Sequence, residues 1–383
     1  MTIPHSVEIV GALLFAIAIL HTFSTRVFDR LARTHPRHAG VWRLLAEVEV
    51  VFGFWAMILI LFMAVFVGRN GTEENIAVTY LEKVRFTEPL FVFAIMVVAA
   101  SKPILRFATG IVGMVARFIP FAHPVSTYFT LLGVAPLLGS FITEPAAMTL
   151  TALMLRELFY SKGLSKKLKY VTIGTLFVNV SIGGTLTNFA APPVLMVAKS
   201  WDWNTWYMLS HIGWKSALTV MVNAGIATLI FRKELARIPV ALQGRVKTDA
   251  LPVPIVVAHA LILFLIVTFS HHPPVFLGLF LLFMGIASAY PHYQERLILR
   301  EGLLVAYFLS GLVVLGGMQE WWLKPALHAM DATTVYFGAT ALTAVTDNAA
   351  LTFLGTLVPD LTEEFKYSLV AGAVTGGGLT VIA

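Results

Sequence analysis

Apolar runs about as long as a bilayer crossing, separated by short polar loops, make up most of this 383-residue chain. A membrane-spanning helix needs about 20 consecutive apolar residues. The runs predict helical spans at 7–24, 45–67, 87–102, 170–199, 214–231, 253–270, 274–290, 302–318 and 367–383. Two more apolar stretches, 126–159 and 333–358, carry charged or helix-unfriendly residues at their middles: FITEPAAMTL, Phe141 to Leu150, and AVTDNAALTF, Ala344 to Phe353. Such an interruption predicts a helical hairpin in each stretch, two short helices that enter and leave by one face. A further segment, ILRFATGIVGMVARFI over 104–119, puts Arg106 and Arg117 on one helical face. It fits a helix lying along the inner membrane surface, and equally a loop or a continued span.

Composition agrees with a membrane setting. Hydrophobic residues are 58% of the chain and charged residues 13%, with a mean hydropathy of +0.81, whereas soluble domains are about one-quarter charged. The expectation is one integral membrane domain, 1–383, all-α and polytopic. The net charge of +6 raises nucleic acid as a partner, but the basic residues are scattered through short loops, as topology requires. No nucleic-acid partner is expected. The absence of cysteine removes disulfide and thiolate chemistry. The first apolar run, VEIVGALLFAIAIL, has no basic residue before it and Arg26, Arg30 and Arg33 after it, the reverse of a cleavable signal peptide, so it is read as a span.

Loop charge bears on orientation. With the N-terminus outside and both hairpins returning to the face they enter by, the inner loops are 25–44, 103–125, 160–169, 232–252 and 291–301. Together with Lys102 they hold nineteen of the 27 Lys and Arg, and positive residues favour the cytoplasmic side. The outer loops GTEENIAVTYLEK and PDLTEEFKY are net acidic. Five spans separate the hairpins, an odd number, so the first dips from the cytoplasm and the second from outside. That is the arrangement of an inverted-topology repeat.

The two halves also match in sequence. Thr143-Glu144-Pro145-Ala146-Ala147-Met148-Thr149-Leu150 aligns without a gap on Thr346-Asp347-Asn348-Ala349-Ala350-Leu351-Thr352-Phe353. Gly183-Gly184-Thr185-Leu186-Thr187 aligns on Gly376-Gly377-Gly378-Leu379-Thr380, each within the span after its hairpin. The expected fold therefore has inverted repeats, two re-entrant helical hairpins and two broken transmembrane helices. The first repeat covers 45–231, with hairpin 126–159 and broken span 170–199; the second covers 274–383, with hairpin 333–358 and broken span 367–383. The second repeat stops at Ala383 without counterparts of Asn188 or of span 214–231, so its half-site is expected to be incomplete or the chain shortened.

Broken helices free backbone groups that hydrocarbon cannot satisfy, so such backbone belongs in protein or beside a wet cavity. Freed carbonyls with Thr, Asn and carboxylate oxygens are hard ligands for a small cation. A carboxylate at bilayer depth is costly and needs a partner or a proton. Burial favours the protonated acid and a bound cation the ionised one, which is the minimum chemistry of proton-coupled cation exchange. Asp347 and Glu144 lead the candidates, with Asn348, Thr143, Thr346, Asn179, Thr187 and Asn188 as oxygen donors, and Gly183, Gly184, Gly376, Gly377, Gly378 and Pro145 as helix breakers. Blander roles stand beside these: Glu-Pro and Asp-Asn as surface turns, the glycines as close-packing sites, Asn179 and Asn188 as interhelical hydrogen-bond glue. His259 reads as a packed, hydrogen-bonded histidine, and Trp201, Trp203, Trp206, Trp321 and Trp322 as interfacial anchors.

These motifs resemble the ion-transporter superfamily and, within it, the bacterial sodium/proton antiporters. The likeness covers roughly 85–383 and is carried by FTEPLFVFAIMVVAASKPIL, FITEPAAMTLTALML, VNVSIGGTLTNFAAPPVLMVA, FLSGLVVLGGMQEWW, ALTAVTDNAALTFLGTLV and AGAVTGGGLTVIA. Asp347-Asn348 in the second hairpin is similar to the antiporter branch in particular. The resemblance implies a scaffold domain, a mobile transport domain, elevator-like alternating access, a homodimer and a bacterial inner-membrane location, with sodium and protons as transported ions and no cofactor. Dicarboxylate carriers of the superfamily have Ser-Asn-Thr at their hairpin tips, and the acids found here repel an anion. An organic-anion or arsenite carrier is the nearest alternative. A membrane-embedded enzyme is disfavoured, because no His-Glu-x-x-His, Gly-x-Ser-x-Gly or clustered His and Cys set is present.

Overall fold

The structure, a computed structural model, describes residues 3–68, 75–239 and 251–380. Helix α1 (His5–Thr34) outruns its apolar stretch because charged residues one turn apart support it, as where Arg33 donates to Asp29 at 2.7 Å. After α2 (Ala39–Leu45), α3 (Val48–Phe62) opens only beyond the extended backbone of Glu47 and ends in a π-wound turn, Met63–Val67. Asn75 caps α4 (Ile76–Lys83), its side chain accepting the Ala77 amide at 3.0 Å. Helix α5 (Thr87–Ala99) is followed at 67° by α6 (Lys102–Phe118), which has Pro103 in its first turn. The segment 104–119 is thus helical, with Ile104, Ala108, Val112 and Ala116 as its buried stripe.

Next come α7 (His123–Ile142), α8 (Glu144–Leu158), α9 (Lys166–Gly183), α10 (Pro192–Ala198), α11 (Thr205–Met208), α12 (Trp214–Ile230) and α13 (Arg232–Leu235). The chain continues through α14 (Val253–Thr268), α15 (Pro273–Ala289), α16 (Leu299–Gly316), α17 (Glu320–His328), α18 (Ala332–Thr343), α19 (Asn348–Thr356) and α20 (Glu363–Gly377). Among the described residues there is no strand. By length and composition, His5–Thr34, Val48–Val67, His123–Ile142 and Leu299–Gly316 suit a membrane crossing, and the bent pair α5–α6 passes when taken together. This is the make-up of a helical membrane protein. The last three residues of the span expected at 367–383, and parts of the outer loop GTEENIAVTYLEK and of the inner loop 232–252, lie outside the described residues.

The chain divides into two compact units. The first comprises Met1–Phe93, Leu299–Ala332 and Phe353–Lys366. Its core is α3 against α16, where a side chain on Gly311 would strike the backbone of Phe52 and Gly53 and one on Gly53 would strike the Tyr307 ring. Tyr80 fastens α4 to this pair by donating to the Val314 carbonyl at 2.7 Å.

The second unit comprises Ala94–Ile298, Thr333–Thr352 and Tyr367–Ala383. Helix α7 lies at its centre, apolar and buried nearly all round, covered by α6, α8, α9 and α12. Pro136 removes the amide that would bond the Leu132 carbonyl. Asn179 of α9 takes that place: its Nδ2 donates to Leu132 O at 2.8 Å and to Val220 O at 3.1 Å, and its Oδ1 accepts from Asn223 at 3.0 Å. The proline gap thereby ties three helices together. His259 is buried, donating from Nδ1 to Ile255 O at 2.8 Å and meeting the Gln294 amide at 2.6 Å.

Candidate functional site

A single residue, Thr143, joins α7 to α8. Its φ of 73° and ψ of 152° fall where glycine is the usual occupant, which costs a β-branched residue about 1–3 kcal/mol. Thr143 is buried and its Oγ1 has no hydrogen-bond partner among the described residues; the same holds for Oε1 of Glu144, the first residue of α8. Pro145 fits the first turn of α8, where an amide would be unused.

Glu144 packs against the interruption of the next long helix. A Cβ built on Gly184 would stand 2.6 Å from Glu144 Oε1 and 2.8 Å from its Cγ, so the carboxylate occupies space that only glycine leaves open. Here α9 ends at Gly183, a 3-10 turn spans Gly184–Leu186, Thr187 is extended, and α10 starts at Pro192. Broken ends need new partners, and Ser140 supplies three. Its Oγ donates to Gly183 O at 2.7 Å and accepts from Leu186 N at 2.9 Å, and its carbonyl accepts from Thr187 Oγ1 at 2.6 Å. Thr185 Oγ1 bonds Ile182 O at 2.8 Å and Ser216 Oγ at 2.7 Å. Gly183 serves a close backbone approach, since its Cβ would meet the Pro136 carbonyl oxygen at 2.8 Å.

Ala344–Asp347 form the turn between α18 and α19. Asp347 is the N-cap of α19, its Oδ1 accepting the Ala350 amide at 2.7 Å. Asn348 Nδ2 stands 2.6 Å from the Cβ position of Gly377, the relation that Glu144 has to Gly184. Thr343 Oγ1 is shared between Ala339 O at 2.7 Å and Ala373 O at 3.1 Å, Gly376 passes against Thr343 and the Thr340 carbonyl, and Thr380 Oγ1 donates to Ala344 O. Helices α9 and α20 touch: Ser181 Oγ donates to Val374 O at 2.9 Å, and Gly378 lies against the Val178 backbone.

These contacts bring Thr143, Glu144, Gly184, Asp347, Asn348 and Gly377 into one region of the second unit. Other residues singled out from sequence are engaged in bonds within the scaffold. Asn179 holds the proline gap of α7. Asn188 donates to Trp203 O at 3.1 Å and accepts from Thr205 at 2.8 Å, Thr346 returns its hydroxyl to Leu342 O at 2.7 Å, and Thr187 clasps Ser140. Ser140, Ser181, Ser216 and Asn223 escaped the sequence. One signal for Ser140 was present: it stands four residues before Glu144, as Thr343 stands four before Asp347.

The donors gathered here are carboxylate, hydroxyl and amide oxygens, hard ligands of the kind a small cation takes. No curated protein matches the chain. The model of the family described as "Putative Na+/H+ antiporter" matches residues 6–383, and the chain belongs to that family.

Proposed function

We propose that the chain exchanges sodium for protons across a bacterial inner membrane by alternating access, and that Glu144 is the group for which the two ions compete. The family is one of transporters rather than enzymes. The observation that carries the proposal is the Glu144 carboxylate, an acid with a buried, unpartnered oxygen set against the broken α9. A buried ionised carboxylate is costly unless something neutralises it. A proton does so by covalent attachment and sodium by coordination, and the two cannot occupy the same oxygens together. Sodium binding therefore expels the proton, and protonation expels sodium.

Asp347 contributes differently. Its cap bond holds the first turn of α19, while its charge adds to the field that draws a cation toward Glu144. The Thr143 hydroxyl and the Asn348 side-chain oxygen complete the proposed ligand set, with Thr187, Thr346, Asn179 and Asn188 holding the framework. The gapless match of Thr143–Leu150 to Thr346–Phe353, with a glycine of the following helix packed against each turn, at Glu144 in one half and one residue further on, at Asn348, in the other, supports two re-entrant hairpins and two broken spans as halves of an inverted repeat. The resemblance drawn from the motifs implies an elevator-like movement and a homodimer, and loop charge supports an outside N-terminus.

The test is a transmembrane-pH dequenching assay in everted vesicles, with sodium, lithium, potassium and calcium added in turn. Sodium is expected to release the proton gradient in the parent and not in Glu144→Gln. Dicarboxylate uptake independent of any cation defeats the proposal.

A further inference from the structure

We infer that Ser140 is a positioning residue for the exchange, fixing the broken backbone against which the Glu144 carboxylate rests; this builds on the role given to Glu144 above. Ser140 is fully buried on the last turn of α7, one helical turn before Glu144. Its hydroxyl is the donor to Gly183 O and the acceptor for Leu186 N, and its own carbonyl takes the Thr187 hydroxyl. The three bonds fall on both sides of Gly184. The residue that the Glu144 carboxylate touches is thus suspended between backbone groups whose partner is one serine.

Chemistry makes the arrangement specific. At the break, Gly183 O and Leu186 N have lost the intrahelical partners a continuous α9 would offer. A hydroxyl can serve both at once, because it donates and accepts. An apolar side chain of the same size takes a buried partner from each in a dry interior, and the segment then shifts or admits water. The second half places a hydroxyl at the matching position: Thr343, one turn before Asp347, reaches Ala373 O on α20 and lies against Gly376. A hydroxyl in the same register before each acid, bonded in one half to the end of α9 and in the other to α20, points to use in holding those helices in place.

The test uses the full chain in proteoliposomes, with Ser140→Ala, Ser140→Thr, Ser140→Val and Glu144→Gln beside the parent. Losing two buried partners is expected to raise the apparent KM for sodium about tenfold in Ser140→Ala and displace the pH at half-maximal rate, with a smaller change in maximal rate. Ser140→Thr, which copies the hydroxyl at position 343, is expected to keep the parent KM and pH profile, and Ser140→Val, equal to Thr in shape but without the hydroxyl, to lose them. Should Ser140→Ala prove too unstable to purify, the Thr and Val pair carries the comparison. Parent KM and pH profile in Ser140→Ala, or equal behaviour of Thr and Val, overturns the positioning role. Parent-like exchange by Glu144→Gln overturns instead the assignment of Glu144, whatever the Ser140 variants do.

Discussion

Replacing Gly184 with alanine moves the Glu144 carboxylate without altering its chemistry. The glycine backbone sits at φ −72° and ψ −5°, a right-handed conformation open to alanine, so no backbone strain enters. The new methyl group stands 2.6 Å from Oε1, 2.8 Å from Cγ and 3.1 Å from the carboxyl carbon, while ordinary contact begins at 3.4 Å. Relieving the closest clash displaces the oxygen by about 0.8 Å, a movement the end of a flexible side chain makes cheaply. For a cation held about 2.4 Å from that oxygen, the same retreat at an effective dielectric of about 20 loses about 1.7 kcal/mol of attraction, or about ten- to twentyfold in affinity. Titrating sodium in the everted-vesicle dequenching assay reads this as an apparent KM raised by that factor, with the rate at saturating sodium largely kept. An unchanged KM refutes the claim that this carboxylate holds the cation.

Gly183→Ala differs, because its methyl meets the Pro136 carbonyl oxygen at 2.8 Å and that backbone cannot rotate away; a loss of about 1–3 kcal/mol is expected, seen as a lower melting temperature in detergent. Asp347→Asn keeps a side chain able to cap α19 whereas Asp347→Ala does not, so melting should separate them by about 1 kcal/mol while both lose sodium-driven proton release. Persisting release in Asp347→Asn contradicts a role for its charge. Thr143→Gly should relieve the positive-φ strain and raise stability by about 1 kcal/mol, yet weaken sodium binding through loss of the buried hydroxyl. A lower melting temperature in that variant contradicts the strain.

Features with short-range causes can be seen in the chain itself. The apolar lengths mark a membrane protein, and Glu144-Pro145 and Asp347-Asn348 mark turns, because a proline or a charge acts on its own helix. The family likeness is similarly contained in contiguous fragments. Asp347 also carries a legible N-cap signal, three residues from the amide it receives, although its setting among apolar residues draws attention first to its charge. Bonds made across the fold are another matter. Ser140 meets partners 43 to 47 residues on, and Pro136 announces that Leu132 will lose a donor without saying that Asn179 replaces it. Trp203 shows the limit of composition: read in sequence with the interfacial anchors, it is only 2% exposed and stacks on Tyr207 at 4.7 Å, since an aromatic belt and an aromatic core use the same residues.

The competition of two ions for one acid is tested most directly by adding sodium to purified protein in weakly buffered detergent solution and following the pH, parent beside Glu144→Gln. The parent is expected to release protons in an amount that saturates with sodium, and Glu144→Gln to release none. Equal release from both proteins contradicts the assignment of the exchange to Glu144.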